Sequence, residues 1–450
     1  MLSFSLPSLD FSLGRSIVVA CAVLAIASLD LVRRMEKQPT QLLFATVFGT
    51  ALSVALIQIS SGFLKPGATH SSFALAALVV LVFFGWKALF GPWGEQNKAT
   101  MLGTFLFWMT LHLLWTEDPR QRSIHLIAAG TALIPAAIWC MLFLKYHTER
   151  ISRVLLLFFS GMLATVPILF YDALVHKGVE LQFFLFRIQP ENFSQAAQTF
   201  VSGHVRSAAG LRVVILSSLL SFLIVGIIEE VSKYWALTHS AKALFSSIDD
   251  VLQLSIIVAI GFSFAENIIN PVYFTAFVNE YLFHAAAPDV GGFLSNVLGR
   301  SVLTTMVHVV STGVMGYFFG LAIFAGPYLA EQRAEGHMYR ILAAVHRVFH
   351  LQETSVFRVQ MLLTGLVCAT LLHTFFNFLV TVPDLLPGNP RTIGDVAGNP
   401  LPVIFKNIPL LLLPAMFYVV GGFWLLTNLF LRKENLRERG HLVIREMLAD

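Results

Sequence analysis

Ionisable residues lie inside four apolar stretches in the carboxyl-terminal half of this 450-residue chain. Glu229 and Glu230 are adjacent within the apolar stretch 211–237, and Lys233 follows one helical turn later. An ionised group at membrane depth costs from about 3 to more than ~10 kcal/mol, depending on how it is measured. Two adjacent carboxylates cost more, because each disfavours ionisation of the other. The pair is therefore predicted to belong to a functional site.

The spacing of these three residues indicates a division of roles. Glu229 and Lys233 are four residues apart and share a helix face, which predicts an ion pair between them. Glu230 is rotated by about 100° and is left without that partner. One carboxylate can then remain ionised while the other serves as a general base. The alternative is an ion pair that only fixes helix packing, but this alternative leaves Glu230 unexplained.

The next three apolar stretches add a third carboxylate and two imidazoles. In chain order they carry Glu266 with Asn267, then Thr304, His308, Ser311 and Thr312 at helical spacing, and finally His373 with Asn377. A lone membrane histidine is more often a satisfied packing residue, but three nearby carboxylates favour a site. The spacing of His373 and Asn377 lets the amide hold the imidazole in one tautomer. Such a set can activate water, either directly or through a metal ion such as zinc.

The elements that position these residues are predicted to be transmembrane helices. The chain is 56% hydrophobic and only 12% charged, roughly half the charged fraction of a soluble protein. Its mean hydropathy is +0.74. We predict an all-α, polytopic transmembrane helical bundle of about 11 spans, with the motifs on spans 7–10. The predicted spans are 16–32, 42–62, 72–90, 99–115, 124–144, 154–174, 211–237, 251–275, 301–325, 357–381 and 408–431.

The remaining organisation follows from charge and composition. Most of the 30 basic residues fall on one set of connections, which predicts an amino terminus outside and a carboxyl terminus inside. Residues 176–210 mix apolar and polar positions and are compatible with an interfacial helix. Residues 382–407 are rich in Pro, Gly and Asn and are predicted to be a loop. The expected domains are an amino-terminal scaffold of unknown role (1–150), the motif-bearing membrane domain (151–431) and a basic cytoplasmic tail (432–450).

One feature of these spans predicts a shift in their boundaries. Counted along the spans, Glu229 lies nearer the inner membrane face, whereas Glu266, His308 and His373 lie nearer the outer face. The stretch 211–245 is longer than one membrane crossing, so a change of register or tilt is expected to bring the four levels together.

The motifs resemble those of the PrsW family of intramembrane proteases, which is related to the CAAX prenyl protease/ABI superfamily. The matching segments are Glu229-Glu230-x-x-Lys233, Phe262-x-x-x-Glu266-Asn267, His308 and His373-x-x-x-Asn377. The superfamily patterns are EExxxR, FxxxH and HxxxN, so Lys233 comes one position early and Glu266 replaces a histidine. The resemblance covers about 170–220 residues and explains nothing before roughly residue 150.

The resemblance implies roles for eight residues. Glu229, Glu230, Glu266, His308 and His373 are the expected catalytic group, and Lys233, Asn267 and Asn377 are the expected supporting group. If a metal is required, His308, His373 and Glu266 are the candidate ligands and zinc is the candidate ion. The family is called a metalloprotease family, whereas its relatives suggest glutamate-activated water without metal, so the cofactor stays open.

The leading functional hypothesis is an intramembrane endopeptidase that cleaves a membrane-anchored protein, such as an anti-sigma-like regulator, in a bacterial plasma membrane. Its expected partners are that protein substrate and the lipid bilayer. A proton-coupled transporter or channel is the alternative, because carboxylates and histidines also build proton relays. No inverted repeat or pair of broken helices supports a transporter. The net charge of +4 is distributed between apolar spans, so no nucleic acid partner is expected.

Overall fold

The computed structural model describes most of the chain from residue 41 onward. The described residues are 41–63, 69–70, parts of 79–91, 93–145, 149–176, 180–183, 186–188, 211–241, 244–269, 272–279, 294–336, 339, 347–348, 350–386, 388, 390–397 and 402–438. The predicted first span, most of the third and the end of the basic tail therefore lie outside the described residues.

Helices dominate the described part of the chain. In order they are α1 (Gln41–Phe63), α2 (Glu95–Leu114), α3 (Pro119–Leu144), α4 (Ile151–Leu163), α5 (Val166–His176), α6 (Leu211–Ala241), α7 (Ile248–Ile269), α8 (Val272–Val278), α9 (Thr305–Ile323), α10 (Ala325–Ala334), α11 (Glu353–Leu385), α12 (Ile393–Ala397), α13 (Val403–Lys406), α14 (Leu412–Met416) and α15 (Gly422–Glu438). Two π-helical segments, Leu294–Thr304 and Phe417–Gly421, lead into α9 and α15. Such segments disturb the regular ladder of hydrogen bonds and often occur near functional sites.

Six helical segments of the described chain are long and apolar enough to cross a membrane. They are Pro119–Leu144, Ile151–Tyr171, Ile248–Ile269, Gly299–Ile323, Glu353–Thr381 and Leu412–Phe430. The prediction of a polytopic helical membrane protein is confirmed, but the predicted number of about 11 spans is not. One reason is that the first predicted span lies outside the described residues.

A small three-stranded sheet corrects one prediction. Strand β1 (Thr69–His70) pairs in parallel with β2 (Glu180–Phe183), and β2 pairs antiparallel with β3 (Phe186–Ile188). The interfacial helix expected over 176–210 is therefore wrong for the residues of β2 and β3. In these strands the backbone groups bond across the sheet, which an alternation of apolar and polar side chains also permits. The predicted loop at 382–407 also contains the short helices α12 and α13.

Helices α7 and α9 form the centre of the bundle. They pack against each other, and α4, α6, α11 and α15 pack around them. In each of the two central spans, 89% of the residues are buried inside the protein. Glycines permit this approach: a methyl group at Gly316 would lie 2.2 Å from Ser255 Oγ, and one at Gly261 would lie 2.0 Å from the Phe158 carbonyl oxygen. The small residues of α9 thus bring its backbone close to that of α7, as membrane helix packing requires.

Helices α6 and α11 complete the walls of the site. Gly226 of α6 lies against Thr374 of α11, where a methyl group would approach Thr374 Oγ1 to 2.9 Å. This crossing places the segment before Glu229 beside the residue that follows His373. The two helices contain 31 and 33 residues. At about 1.5 Å per residue they exceed the ~30 Å hydrocarbon core. Glu229 lies 19 residues into α6, and its Oε2 is 3.5 Å from His373 Nε2, so the two side chains meet at one level.

Candidate active site

Glu230 lies at the centre of a buried polar cluster and is fully supplied with donors. Its Oε1 accepts from Lys233 Nζ at 2.8 Å, His373 Nδ1 at 3.0 Å and Ser311 Oγ at 3.1 Å. Its Oε2 accepts from Thr312 Oγ1 at 3.0 Å. The side chain has no exposed surface. Four donors from three helices hold Glu230 as a fixed carboxylate anion.

Lys233 occupies the space between the two glutamates and His308. Besides its bond to Glu230, Nζ lies 2.9 Å from His308 Nδ1 and 3.7 Å from Glu229 Oε2. It also lies 4.0 Å from the centroid of the Phe262 ring, which adds a cation–π contact. The predicted ion pair between Lys233 and Glu229 is confirmed at 3.7 Å, but the prediction that Glu230 lacks this partner is wrong, because Lys233 lies closer to Glu230. Two hydroxyl groups of α9 donate to Glu230, and Lys233 pairs with the carboxylate in this position.

Each histidine is oriented by a carboxylate. His308 Nε2 lies 2.9 Å from Glu266 Oε2. Because a lysine ammonium offers donors only, His308 Nδ1 accepts from Lys233, and Nε2 carries the proton donated to Glu266. His373 donates from Nδ1 to Glu230, which leaves Nε2 facing the interior. The two rings lie edge to face with centroids 4.9 Å apart. Carboxylates behind imidazoles fix tautomer and orientation in this way at many metal sites.

Glu229 differs from Glu230 in having an uncommitted oxygen. Its Oε2 is buried and has no hydrogen-bond partner among the described residues. It lies 3.5 Å from His373 Nε2, 3.7 Å from Lys233 Nζ and 4.0 Å from His308 Nδ1. These separations exceed hydrogen-bond distances, so Oε2 accepts from none of these three groups. A buried acceptor without a partner is the feature expected where a reacting molecule binds.

The same atoms provide a candidate set of metal ligands. One ligand atom each from Glu229, His308 and His373 lies within 4.8 Å of the others. Two imidazoles and one carboxylate form a donor set that catalytic zinc sites use. Glu229 thus takes the place expected for Glu266, whose carboxylate binds the outward nitrogen of His308. The residues present are chemically suited to a divalent metal ion.

The two asparagines are placed differently from the other predicted residues. Asn267 is buried next to Glu266, and Asn377 is half-buried one turn after His373. Within the described part of the chain, neither amide bonds to the cluster. The sequence predicted that Asn377 orients the His373 ring, but the ring is bonded to Glu230 instead.

Four contributing residues were not assigned roles from the sequence. Phe262 lies beneath the Lys233 ammonium, and the hydroxyls of Ser311 and Thr312 bind Glu230. The stripe of polar residues around His308 is the sequence signal for the hydroxyls. Tyr418 was missed entirely; its hydroxyl donates to the carbonyl of Leu372, next to His373. A lone tyrosine in the last apolar stretch gives little warning of this contact.

Glu266 is the most exposed carboxylate of the cluster. Its side chain is 23% exposed, whereas those of Glu229 and His308 are 5% and 2% exposed. Glu266 stands near the carboxyl end of α7, close to the π-helical segment that precedes α9. Glu266 therefore joins the buried cluster to a partly exposed edge of the protein.

A buried group of carboxylates and imidazoles inside a bundle of membrane helices is the kind of site that an intramembrane hydrolase requires. The family described as PrsW family intramembrane metalloprotease matches residues 149–394, which is more than half of the chain. The chain belongs to this family and is an intramembrane peptidase. No curated protein and no solved structure matches the chain. The family match begins close to the boundary predicted near residue 150 and includes all eight predicted site residues.

Proposed function

We propose that this protein is an intramembrane endopeptidase in which Glu229 is the general base. The observation that carries this assignment is the contrast between the two adjacent glutamates. Glu230 accepts hydrogen bonds on both oxygens, whereas Glu229 Oε2 lacks a partner and faces both imidazoles. A base needs a free lone pair at the reacting water, and Glu229 offers one.

The reaction follows from these positions. Glu229 takes a proton from water as the water oxygen bonds to the carbonyl carbon of the substrate peptide. The carbon–nitrogen bond then breaks, and the proton passes to the departing amide nitrogen. Lys233 and the imidazoles stabilise negative charge that develops on the carbonyl oxygen. Glu230 and Glu266 are positioning residues, because they act by holding His373 and His308.

A metal ion is an alternative use of the same buried group of residues. Glu229, His308 and His373 are the residues that would hold it, with zinc as the candidate. When bound, such an ion supplies Lewis-acid polarisation of the substrate carbonyl. Glu230 and Glu266 would then serve as the carboxylates behind the two ligating imidazoles.

The substrate is proposed to be a single-span or membrane-anchored protein, with an anti-sigma-like regulator as the specific candidate. The burial of the cluster supports a membrane substrate, because a soluble protein has no direct route to these residues. The exposed edge at Glu266 supports entry of an extended segment beside α7. We also propose a bacterial plasma membrane, with the amino terminus outside and the carboxyl terminus inside, from the distribution of basic residues.

The amino-terminal residues are proposed to be a scaffold for the peptidase domain, residues 151–431, with residues 432–450 as a cytoplasmic tail. Helix α2 packs against α4, and α3 packs against α7, which carries Glu266. Side chains of α2 and α3 belong to the same hydrophobic core as those of α7. This shared core supports a role for the described residues before 150 in bracing the site.

The test is cleavage of a membrane-tethered reporter by the purified full chain in proteoliposomes. Wild type is expected to cut it and, in ¹⁸O water, to place one ¹⁸O in the new carboxyl terminus. Glu229→Gln is expected to lower the rate by roughly 10²–10⁴-fold at unchanged expression and thermal stability. Glu95→Gln is the matched control, since Glu95 pairs with Arg153 at 3.4 Å outside the cluster. Wild-type rates in Glu229→Gln, or proton flux without cleavage, would contradict the proposal.

A further inference from the structure

The ammonium group of Lys233 lies among the atoms that would hold a metal ion. Its Nζ is 2.9 Å from His308 Nδ1 and 3.7 Å from Glu229 Oε2. These two atoms belong to the candidate ligand set that His373 completes. The side chain of Lys233 is completely buried, so its charge belongs to the site itself.

The ammonium and a metal ion cannot use His308 at the same time. His308 donates its Nε2 proton to Glu266 at 2.9 Å, so Nδ1 carries the single in-plane lone pair of the ring. That lone pair accepts from Lys233 Nζ. Turning to the other tautomer would free Nε2 but would break the charge-assisted bond to Glu266. Ligation through the inward nitrogen therefore requires Lys233 to withdraw.

Withdrawal of Lys233 from His308 need not cost the lysine all of its partners. Its shortest contact is with Glu230 Oε1 at 2.8 Å, and this carboxylate is held independently by the hydroxyls of Ser311 and Thr312. A rotation of the lysine about Glu230 would keep this ion pair while releasing the imidazole. The movement would also change the contact with the Phe262 ring.

We propose that Lys233 is a built-in competitor of the divalent metal ion, with the ammonium and the ion binding alternately at His308 Nδ1. This inference rests on the proposed function of the same site. It assigns Lys233 a role in setting metal affinity, beyond pairing with a glutamate. The apparent affinity for metal is the intrinsic affinity multiplied by the fraction of molecules in which Lys233 has left His308.

The experiment measures metal binding to the purified full-length chain in detergent, using Co²⁺ and Zn²⁺ alone. Dissociation constants come from competition with a chromophoric chelator, and the visible spectrum of bound Co²⁺ reports its coordination. If the withdrawn arrangement is at most about a tenth of the population, Lys233→Met binds about tenfold tighter or more. Lys233→Arg is the matched control, because it keeps a cation at this position and is expected to stay near wild type.

The ligand assignment is checked by adding His308→Ala to Lys233→Met, which is expected to remove the gain and alter the Co²⁺ spectrum. Equal dissociation constants for wild type and Lys233→Met would overturn the proposal. A gain that survives His308→Ala would overturn it as well, since the competition would then lie elsewhere. The absence of binding to either protein would also reject it.

A second variant serves if Lys233→Met does not fold. Phe262→Leu removes the ring beneath the ammonium but keeps an apolar side chain. Loss of a buried cation–π contact is expected to tighten metal binding roughly two- to thirtyfold. Unchanged affinity in this variant would count against competition. Normal cleavage by wild type, together with equal metal affinity in wild type and Lys233→Met, rejects this inference alone. Tighter metal binding by Lys233→Met, together with full cleavage by Glu229→Gln, rejects the proposed function alone.

Discussion

Helices α3 and α7 are both apolar enough to cross a membrane, but they have different surroundings. In α3, 28% of the span is buried, and side chains such as Ile138 face outward. In α7, 89% of the span is buried, and its last turns carry Glu266. The ionisable cluster is assembled where protein surrounds the helix on all sides. Apolar composition marks both helices as membrane segments, and only the neighbours of each decide where a charge is tolerated.

The strongest test of the contrast between buried and exposed helix surfaces replaces one buried and one exposed histidine. His373→Ala in the cluster is expected to lower the cleavage rate by roughly 10²–10⁴-fold, because it removes the imidazole that faces Glu229. His112→Ala, at an exposed position of α2, is expected to leave the rate unchanged. Steady-state cleavage of the tethered reporter measures both. Equal losses in the two variants would mean that the cluster is not the reacting centre.

Glycine substitutions test the packing side of the comparison. Gly261→Ala in α7 places a methyl group 2.0 Å from the backbone carbonyl of Phe158, so the helices must separate. The expected loss is about 3 kcal/mol or more. Gly130→Ala in α3 meets no atom within 4 Å, and a change below about 1 kcal/mol is expected. The measurement is the midpoint of thermal unfolding in detergent for each variant, with size-exclusion chromatography as the readout of the folded fraction. Similar midpoints would show that the α4–α7 crossing is looser than described.

A smaller change sharpens the distinction between protein and lipid surroundings. Ile257 of α7 is completely buried, whereas Ile138 of α3 is 56% exposed. Ile257→Val should cost about 1 kcal/mol, because the missing methyl leaves a space that rigid neighbours cannot fill. Ile138→Val should cost less, because lipid tails or detergent fill that space. The difference between the two unfolding midpoints is the measurement, and a larger loss for Ile138→Val would reverse our interpretation of the two surroundings.

The smallest effect is expected outside both helices, at Asp395 in the short helix α12. Backbone N–H groups of Arg391 and Thr392 donate to its Oδ2 at 2.8 Å each, and they lower the pKa of this carboxyl. Because this pKa is lower in the folded protein than in the unfolded chain, the ionised carboxylate stabilises the loop at pH values above the unfolded pKa near 4. This contribution is lost as the pH falls through the folded value.

Hydrogen exchange of the Arg391 and Thr392 amides is therefore expected to become less protected in that acidic range. Asp395→Asn should show weak protection at every pH, and cleavage at neutral pH should be unaffected. Protection that does not change with pH in wild type would show that the carboxylate does not hold this loop.

Much of the site could be predicted from residue type and spacing. The gathering of Glu229, Glu230, Glu266, His308 and His373 on neighbouring helices is confirmed by their contacts. Their roles remain proposals. Sequence separation could not identify which glutamate lies closer to Lys233, because residues three and four positions away on a helix are both within its reach. The choice of Glu230 depends on Ser311 and Thr312, which belong to another helix.

The ligand set shows the same limit. Glu266 was the expected third ligand beside the histidines, yet Glu229 faces their inward nitrogens and Glu266 binds the outer nitrogen of His308. The direction in which each imidazole points depends on the rotation of α9 and α11 about their axes. That rotation is determined by contacts such as Gly226 with Thr374, which no local pattern identifies in advance.

The sequence by itself determined that this chain is a helical membrane protein with acidic groups and imidazoles concentrated between residues 211 and 381. Lipid penalises charge so strongly that composition and spacing are sufficient for this conclusion. Only the tertiary structure decided which carboxylate is saturated, which is free and where the lysine charge lies. Those outcomes depend on distances of a few ångströms between helices far apart in sequence, and packing alone determines such distances.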